Sequence, residues 1–353
     1  MHILHVVGAR PNFMKAAPVL SALNRRSNIR QTLVHTGQHY DRNMSDVFFE
    51  ELGIPDPDVN LEVGSGSHAQ QTAEVMSRFE PVLLEKKPDL VLVYGDVNST
   101  MAAAVVCSKL LVPVGHVEAG LRSFDRTMPE EINRIITDQL ADWLFTPSED
   151  GDRNLCREGV RPDKIHRVGN VMIDSLLRLL PLAMQRGANG FPSRYALVTL
   201  HRPSNVDDSE TLKRILECLV TMTANMAVIF PVHPRTRQRI QRFGIDTGKV
   251  HLLEPMPYLD FLALQARAAV VITDSGGIQE ETTYLKVPCL TLRSNTERPI
   301  TAELGTNILV GDDMEMLKGE MSRILAGRGK QGSIPPLWDG RAGERIADVL
   351  TLL

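Results

Sequence analysis

The feature that most constrains this chain is a rhythm. Short apolar runs ending in Gly, Asp, Glu or His alternate with longer segments of helical period, from the first residues to beyond residue 300. Runs of that length followed by amphipathic helices are the mark of βα units, which assemble into a parallel sheet with helices on its faces. The pattern predicts strands over Ile3–Val7, Thr32–Thr36, Leu90–Tyr94, Val114–Val117 and Trp143–Thr146. Helices are predicted near Phe13–Arg25, His68–Glu85, Ser99–Leu110 and Glu130–Leu140. A second series predicts strands over Ala196–Leu200, Ala227–Phe230, His251–Leu253, Val270–Thr273, Cys289–Leu292 and Ile308–Val310.

Two such series in 353 residues exceed what one hydrophobic core usually holds. The expected fold class is therefore α/β, with two Rossmann-like, doubly wound domains. Turn residues at Gly187–Ser193, after an apolar helix from about Ile173 to Gln185, place the boundary. The first domain spans 1–172 and the second 173–339, and a last helix over 340–353, beyond a Gly- and Pro-rich stretch, is expected to pack back on the first. Open parallel sheets bind ligands at the carboxyl ends of their strands, so two such domains are expected to face a common cleft.

Composition narrows the function. A formal net charge of −4, with Lys and Arg evenly spread, offers no basic face for nucleic acid. The amino terminus carries no basic leader before a long apolar stretch, and no later apolar run has the length of a membrane span, which predicts a cytoplasmic protein without a membrane partner. Cys107, Cys156, Cys218 and Cys289 lie far apart and read as buried, reduced thiols. Metal-binding spacings such as HExxH do not occur, so no metal is expected.

Chemistry-bearing residues gather after the strands. The first runs into Gly8-Ala9-Arg10-Pro11-Asn12-Phe13-Met14-Lys15, which puts two cations at a helix entry. Cations there oppose the helix dipole, and a bound anion would offset that. Asp96 and Glu118 follow two strands. Asp96 can serve as a helix cap, whereas Glu118 leaves its strand with no capping task. Glu130 and Glu131 follow Pro129 in a first helical turn, where they also suit a helix N-terminus. In the second half, His201-Arg202 and His233-Pro234-Arg235 sit just past strands. Asp274-Ser275-Gly276-Gly277 opens a helix, with Ser275 placed to cap it and two glycines letting backbone N–H groups approach a phosphate. Glu281 lies one turn on, and Arg298 supplies another cation.

Together GARPNFMK, TGQHYD, YGDVNST, GHVEAGLRSFDRTMPEEINR, HRPSN, PVHP, TDSGGIQEE and TERP resemble the non-hydrolysing UDP-N-acetylglucosamine 2-epimerases, from residue 3 to about 310. The resemblance implies a GT-B-like pair of domains, a homodimer, and reversible conversion of UDP-GlcNAc to UDP-ManNAc with no cofactor. It implies that UDP is held by Arg10, Lys15, Met256, Phe261, Ser275, Gly276, Gly277, Glu281 and Arg298. Catalysis is implied at Asp96, Glu118, Glu130 and His201. An activating second UDP-GlcNAc site would draw on Gln38, His39, Arg202 and His233. Two positions depart from the family pattern: Tyr40-Asp41 stand where Arg-Glu is usual, and Met256 stands where a Gln lies near the uracil. Alternative readings are a 2-epimerase of a modified UDP-sugar of the diacetamido uronic acid type, a GT-B glycosyltransferase, or a sugar-nucleotide sensor without turnover.

Overall fold

The structure is a computed structural model that describes residues 1–37, 53–186 and 190–353, apart from the side chain of Arg10. It divides into two compact units, Met1–Arg178 with Pro336–Leu353, and Leu179–Pro335.

The first unit is built on a parallel sheet of β1 (His2–Val7), β2 (Arg30–His35), β3 (Val59–Asn60), β4 (Leu90–Tyr94), β5 (Val114–Val117), β6 (Trp143–Thr146) and β7 (Ile165–Arg167), in the order β3-β2-β1-β4-β5-β6-β7. Its central strands read as continuous apolar runs because helices cover both faces; every residue of β4 is buried. The helices are α1 (Arg10–Asn24), α2 (His68–Lys86), α3 (Asn98–Lys109), α4 (Pro129–Leu140) and α5 (Glu149–Arg157). Ser67 starts α2 with a reciprocal capping box, its hydroxyl accepting from Gln70 N–H while the Gln70 side chain accepts from Ser67 N–H. β3 and β7, which the pattern did not reveal, are edge strands of two and three residues, too short to show a period.

The second unit holds β8 (Tyr195–Thr199), β9 (Ala227–Pro231), β10 (His251–Leu253), β11 (Val270–Thr273), β12 (Cys289–Thr291) and β13 (Asn307–Leu309), again all parallel, in the order β10-β9-β8-β11-β12-β13. Between them run α7 (Pro203–Val206), α8 (Ser209–Met222), α9 (Pro234–Arg242), α10 (Tyr258–Arg267), α11 (Gly276–Leu285) and α12 (Pro299–Glu303), and α13 (Met314–Leu325) follows β13. α6 (Val171–Arg186) begins in the first unit and ends in the second. The last helix, α14 (Ala342–Thr351), lies against α1 so closely that a Cβ at Gly343 would come within 2.7 Å of Pro18 O. Asp174 caps it, accepting from Ala342 N at 3.1 Å and Gly343 N at 2.8 Å.

In both sheets the strand order reverses beside the first strand, between β1 and β4 and between β8 and β11. The loops that leave those four strands at their carboxyl ends splay to opposite faces, which makes each switch point a natural ligand seat. In register, Tyr94 pairs with Val117 and Thr199 with Thr273, so the motif residues that follow emerge at one level in each unit.

Cys107, Cys218 and Cys289 are buried free thiols, but Cys156 is exposed, contrary to the sequence reading. It sits near the end of α5, whose mean hydropathy is low and whose buried side is supplied by Asp150, Gly151, Asn154 and Leu155. No helix among the described residues is long and apolar enough to cross a membrane.

Candidate active site

At the switch point of the first sheet, two carboxylates are held by cations. Glu118 leaves β5 with a φ of +74°, a left-handed conformation that costs a non-glycine residue about 1–3 kcal/mol and so marks a site under another constraint. Both of the peptide N–H groups at Glu118 and Ala119 donate to Phe145 O, which anchors the turn. The Glu118 side chain forms an ion pair with Lys15 of α1, and both residues are 5% exposed. Gly95, which follows β4, has a φ of +64°, and a Cβ there would meet Lys15 Nζ at 2.5 Å and Glu118 Oε2 at 3.2 Å. Glycine is thus needed for conformation and for space. Asn12 fixes the neighbouring loop, donating to Tyr94 O at 2.6 Å and accepting from Ala9 N at 2.9 Å.

Asp96 follows Gly95 and does not cap α3, whose N-cap position is Val97. Its carboxylate lies 2.5 Å from Arg134 Nη1. Arg134 is in turn clamped by Glu131, which accepts from its Nε at 3.0 Å and Nη2 at 2.6 Å. Glu131 also accepts from the N–H groups of Ser123 and Phe124. Burial alone would raise its pKa, but those donors and the guanidinium outweigh it and hold the carboxyl below its ordinary value. Asn133 donates to Asp96 O at 2.9 Å. Behind this layer the buried His116 lies with Nε2 2.8 Å from Gly95 O and Nδ1 2.6 Å from Asp138 Oδ1. Asp138 Oδ2 accepts from Gly120 N at 3.1 Å and Arg122 Nη1 at 2.7 Å. One imidazole and one carboxylate therefore join the loop carrying Asp96 to the loop carrying Glu118.

The switch point of the second sheet is organised by Asp274 at the end of β11. Fully buried, it accepts from His201 N, Arg202 N and Asn205 Nδ2, and its Oδ1 lies 3.0 Å from His201 Nδ1. Burial pushes its pKa up, and these donors more than reverse the shift, leaving it below the ordinary value. Ser275 takes the N-cap position of α11, but its side chain makes no capping bond, which corrects the expected cap. The first turn of α11 therefore keeps N–H groups pointing outward. A Cβ on Gly276 would collide with Glu297 and Arg298. Arg298 is fastened there by an ion pair to Glu297, with its Nε 2.9 Å from Glu280 Oε1. At Gly277 a Cβ would meet nothing within 4 Å, so the space in front of that turn is open. A helix N-terminus, two adjacent glycines and a buried arginine form a seat for an anion.

The structure thus pairs Lys15 with Glu118 and Asp96 with Arg134 in the first unit, and leaves Glu130 half-buried in the first turn of α4. In the second unit it places His201, Ser275, Gly276, Gly277 and Arg298 around the β8/β11 switch point. Glu281 is buried and accepts from Tyr258 Oη at 2.7 Å, and Met256 and Phe261 pack half-buried against the core cluster that includes Leu264 and Val271. Arg202 donates through Nε to Asp274 O. His233 is the N-cap of α9, its ring accepting from Arg235 N at 3.3 Å. Gln38, His39 and the Arg10 side chain lie outside the described residues.

The sequence assigns no role to Arg134, Asn133, His116 or Asp138, and names Asp274 only as the first residue of the motif that opens α11. For α4 a signal existed: Glu131, Arg134 and Asp138 recur at helical spacing and form a buried polar face, while Ile132, Ile135 and Ile136 are only half-buried. Among the described residues no cluster of three or more His, Cys, Asp or Glu side chains is arranged to hold a metal ion.

A family model for UDP-N-acetylglucosamine 2-epimerase matches residues 21–351. The chain belongs to that family. It is 45% identical over 365 residues to the UDP-N-acetylglucosamine 2-epimerase of Methanocaldococcus jannaschii, covering 99% of both chains. It is 44% identical over 356 residues to the UDP-2,3-diacetamido-2,3-dideoxy-D-glucuronate 2-epimerase of Pseudomonas aeruginosa, covering all of both. The crystal structure of the Methanocaldococcus jannaschii epimerase in complex with UDP-GlcNAc and UDP matches with a TM-score of 0.92 over the whole of both chains. Membership in this epimerase family accounts for the two doubly wound sheets and makes the chain an isomerase.

Proposed function

We propose that the chain inverts C2 of UDP-N-acetylglucosamine, giving UDP-N-acetylmannosamine, by eliminating and re-adding UDP. The observation that carries this reading is the division of labour between the switch points: paired carboxylates at one, and an open anion seat at the other. A C2 proton beside a neutral C1 is weakly acidic. Its removal becomes feasible when the C1–O bond breaks in the same process, the C2–H electron pair becoming the C1–C2 double bond and the C1–O pair departing on UDP. The intermediate is 2-acetamidoglucal. UDP then returns to C1, and a proton is delivered to the opposite face of C2.

Each side chain has a place in that sequence. The diphosphate sits on Ser275, Gly276, Gly277 and Arg298, with Arg10 and Lys15 as further cations, and stabilising its departing charge is an electrostatic task of the kind that often dominates catalysis. Asp96, Glu118 and Glu130 supply the base and the acid, and His201 serves the β-phosphate. Glu281 meets the ribose, and Met256 and Phe261 lie at the uracil. Gln38, His39, Arg202 and His233 are the residues of an activating second site. No metal or cofactor is required by this route. A homodimer in the cytoplasm is the assembly we infer, and light scattering of the purified chain reads the first part.

The test is incubation with UDP-GlcNAc in D₂O. UDP-ManNAc should appear with deuterium at C2 in product and recovered substrate; absence of both product and exchange overturns the reading. A second substrate has its own support, because the diacetamido-uronate epimerase is about as similar as the GlcNAc enzyme. A panel of UDP-sugars differing at C3 and C6 separates the two.

A further inference from the structure

We infer that Asp274 is a positioning residue for the reaction, fixing the ring of His201 so that Nδ1 bears a hydrogen and Nε2 is the nitrogen that works. This rests on the reading that His201 acts at the departing phosphate.

The geometry is asymmetric in an informative way. Asp274 is wholly buried at the end of β11, and each contact around its carboxylate comes from a donor: His201 N at 3.2 and 3.1 Å, Arg202 N at 2.9 Å and Asn205 Nδ2 at 3.0 Å. Asn205 is itself held, donating also to Leu292 O at 3.0 Å. A carboxylate so surrounded can only accept. The remaining partner is His201 Nδ1 at 3.0 Å from Oδ1. Facing an obligate acceptor, that nitrogen must carry hydrogen, whatever the state of the other.

The His201 side chain is 51% exposed. Water alone could satisfy its ring, so burial does not force this contact. The same carboxylate grips the His201 backbone N–H, which ties the ring to its own main chain and limits its rotation. Asp274 also directly precedes Ser275 and Gly276, so the imidazole is referenced to the phosphate seat through one residue. An orienting carboxylate behind a working imidazole fixes tautomer and direction at once.

The experiment is long-range proton–nitrogen NMR on protein labelled with ¹⁵N-histidine, the His201 signals being assigned by their loss in His201→Gln. The expected result is a hydrogen on Nδ1 of wild-type His201 across the pH range of the folded protein. A bare Nδ1 overturns the inference. In Asp274→Asn, judged folded by circular dichroism, kcat should fall about 10- to 100-fold, with a smaller loss of UDP affinity by calorimetry and the His201 signals showing both tautomers. A folded variant with wild-type kcat overturns the inference as well. Should that variant fail to fold, the wild-type spectrum still decides. The spectrum does not depend on turnover: a wild-type protein that never epimerises UDP-GlcNAc defeats the functional reading alone, and an active one with a bare Nδ1 defeats only the role of Asp274.

Discussion

The two switch points solve opposite electrostatic problems with the same fold. In the first unit charge meets charge: Glu118 pairs with Lys15, and Asp96 with Arg134, both cations being almost wholly buried. In the second unit the key anion, Asp274, is met by backbone and side-chain donors, while the helix start beside it keeps N–H groups and open space. Carboxylates clamped by cations are fixed in direction, which suits delivery of protons to and from one carbon. Helix-start N–H groups at a glycine turn suit an anion that must arrive and leave.

Breaking a pair in the first unit should therefore have the largest effect. Glu118→Gln removes a carboxylate proposed to carry a proton and leaves Lys15 charged inside the protein. We expect kcat to fall about 10²- to 10⁴-fold and unfolding in urea to reveal a loss of about 3–5 kcal/mol, the usual cost of a buried charge left alone. Lys15→Met combined with Glu118→Gln should restore much of the stability and none of the turnover. If Glu118→Gln were as stable as the wild type, the ion pair would not be holding the site.

A second contrast lies between two buried aspartates. Asp174 and Asp274 each accept two backbone N–H bonds, yet burial, with help from Asp339, raises the Asp174 pKa from 3.8 to about 6, whereas extra donors lower that of Asp274. The signs follow by linkage. The folded state binds the Asp174 proton more tightly than the unfolded chain, so this group's contribution is fully present below about pH 3.8 and is lost as pH rises through about 6. The rise from 3.8 to about 6 corresponds to about 3 kcal/mol at most. Asp274 contributes in the opposite sense, its share being lost as pH falls through its lowered pKa. In urea unfolding from pH 4.5 to 7.5, the stability of wild type relative to Asp174→Asn should fall as pH rises, and a difference that does not change with pH would remove Asp174 as a source of pH dependence.

How much of this was legible in the sequence differs between the same two regions. Strands β4, β5, β6 and β11 fall where the apolar runs place them, because strands buried on both faces must be apolar throughout. Gly276 and Gly277 were visible as a turn before a helix. What the sequence did not disclose is pairing over distance: Lys15 with Glu118 across 103 positions, or His201 with Asp274 across 73. No local period encodes such contacts; the sheet order creates them by setting β4 between β1 and β5, and β8 beside β11. Arg134 was hidden differently. α4 buries its polar face, so reading apolar residues as the inward side points the wrong way.

The finest test of the contrast sets Gly276 against Gly277. Neither has a positive φ, so alanine suits the backbone at both, and only the surroundings differ. At Gly276 a methyl group would push on Glu297 and Arg298, which should lower thermal stability and raise KM about tenfold, equivalent to about 1.4 kcal/mol. At Gly277 nothing lies within 4 Å, so Gly277→Ala should gain roughly 0.5–1 kcal/mol of stability from helix propensity. Yet if the diphosphate rests against that turn, the same methyl group must meet it, and KM should rise although the protein is more stable. Increased stability with an unchanged KM would show that the open space before Gly277 is not where the anion sits, and would move the seat toward Arg298.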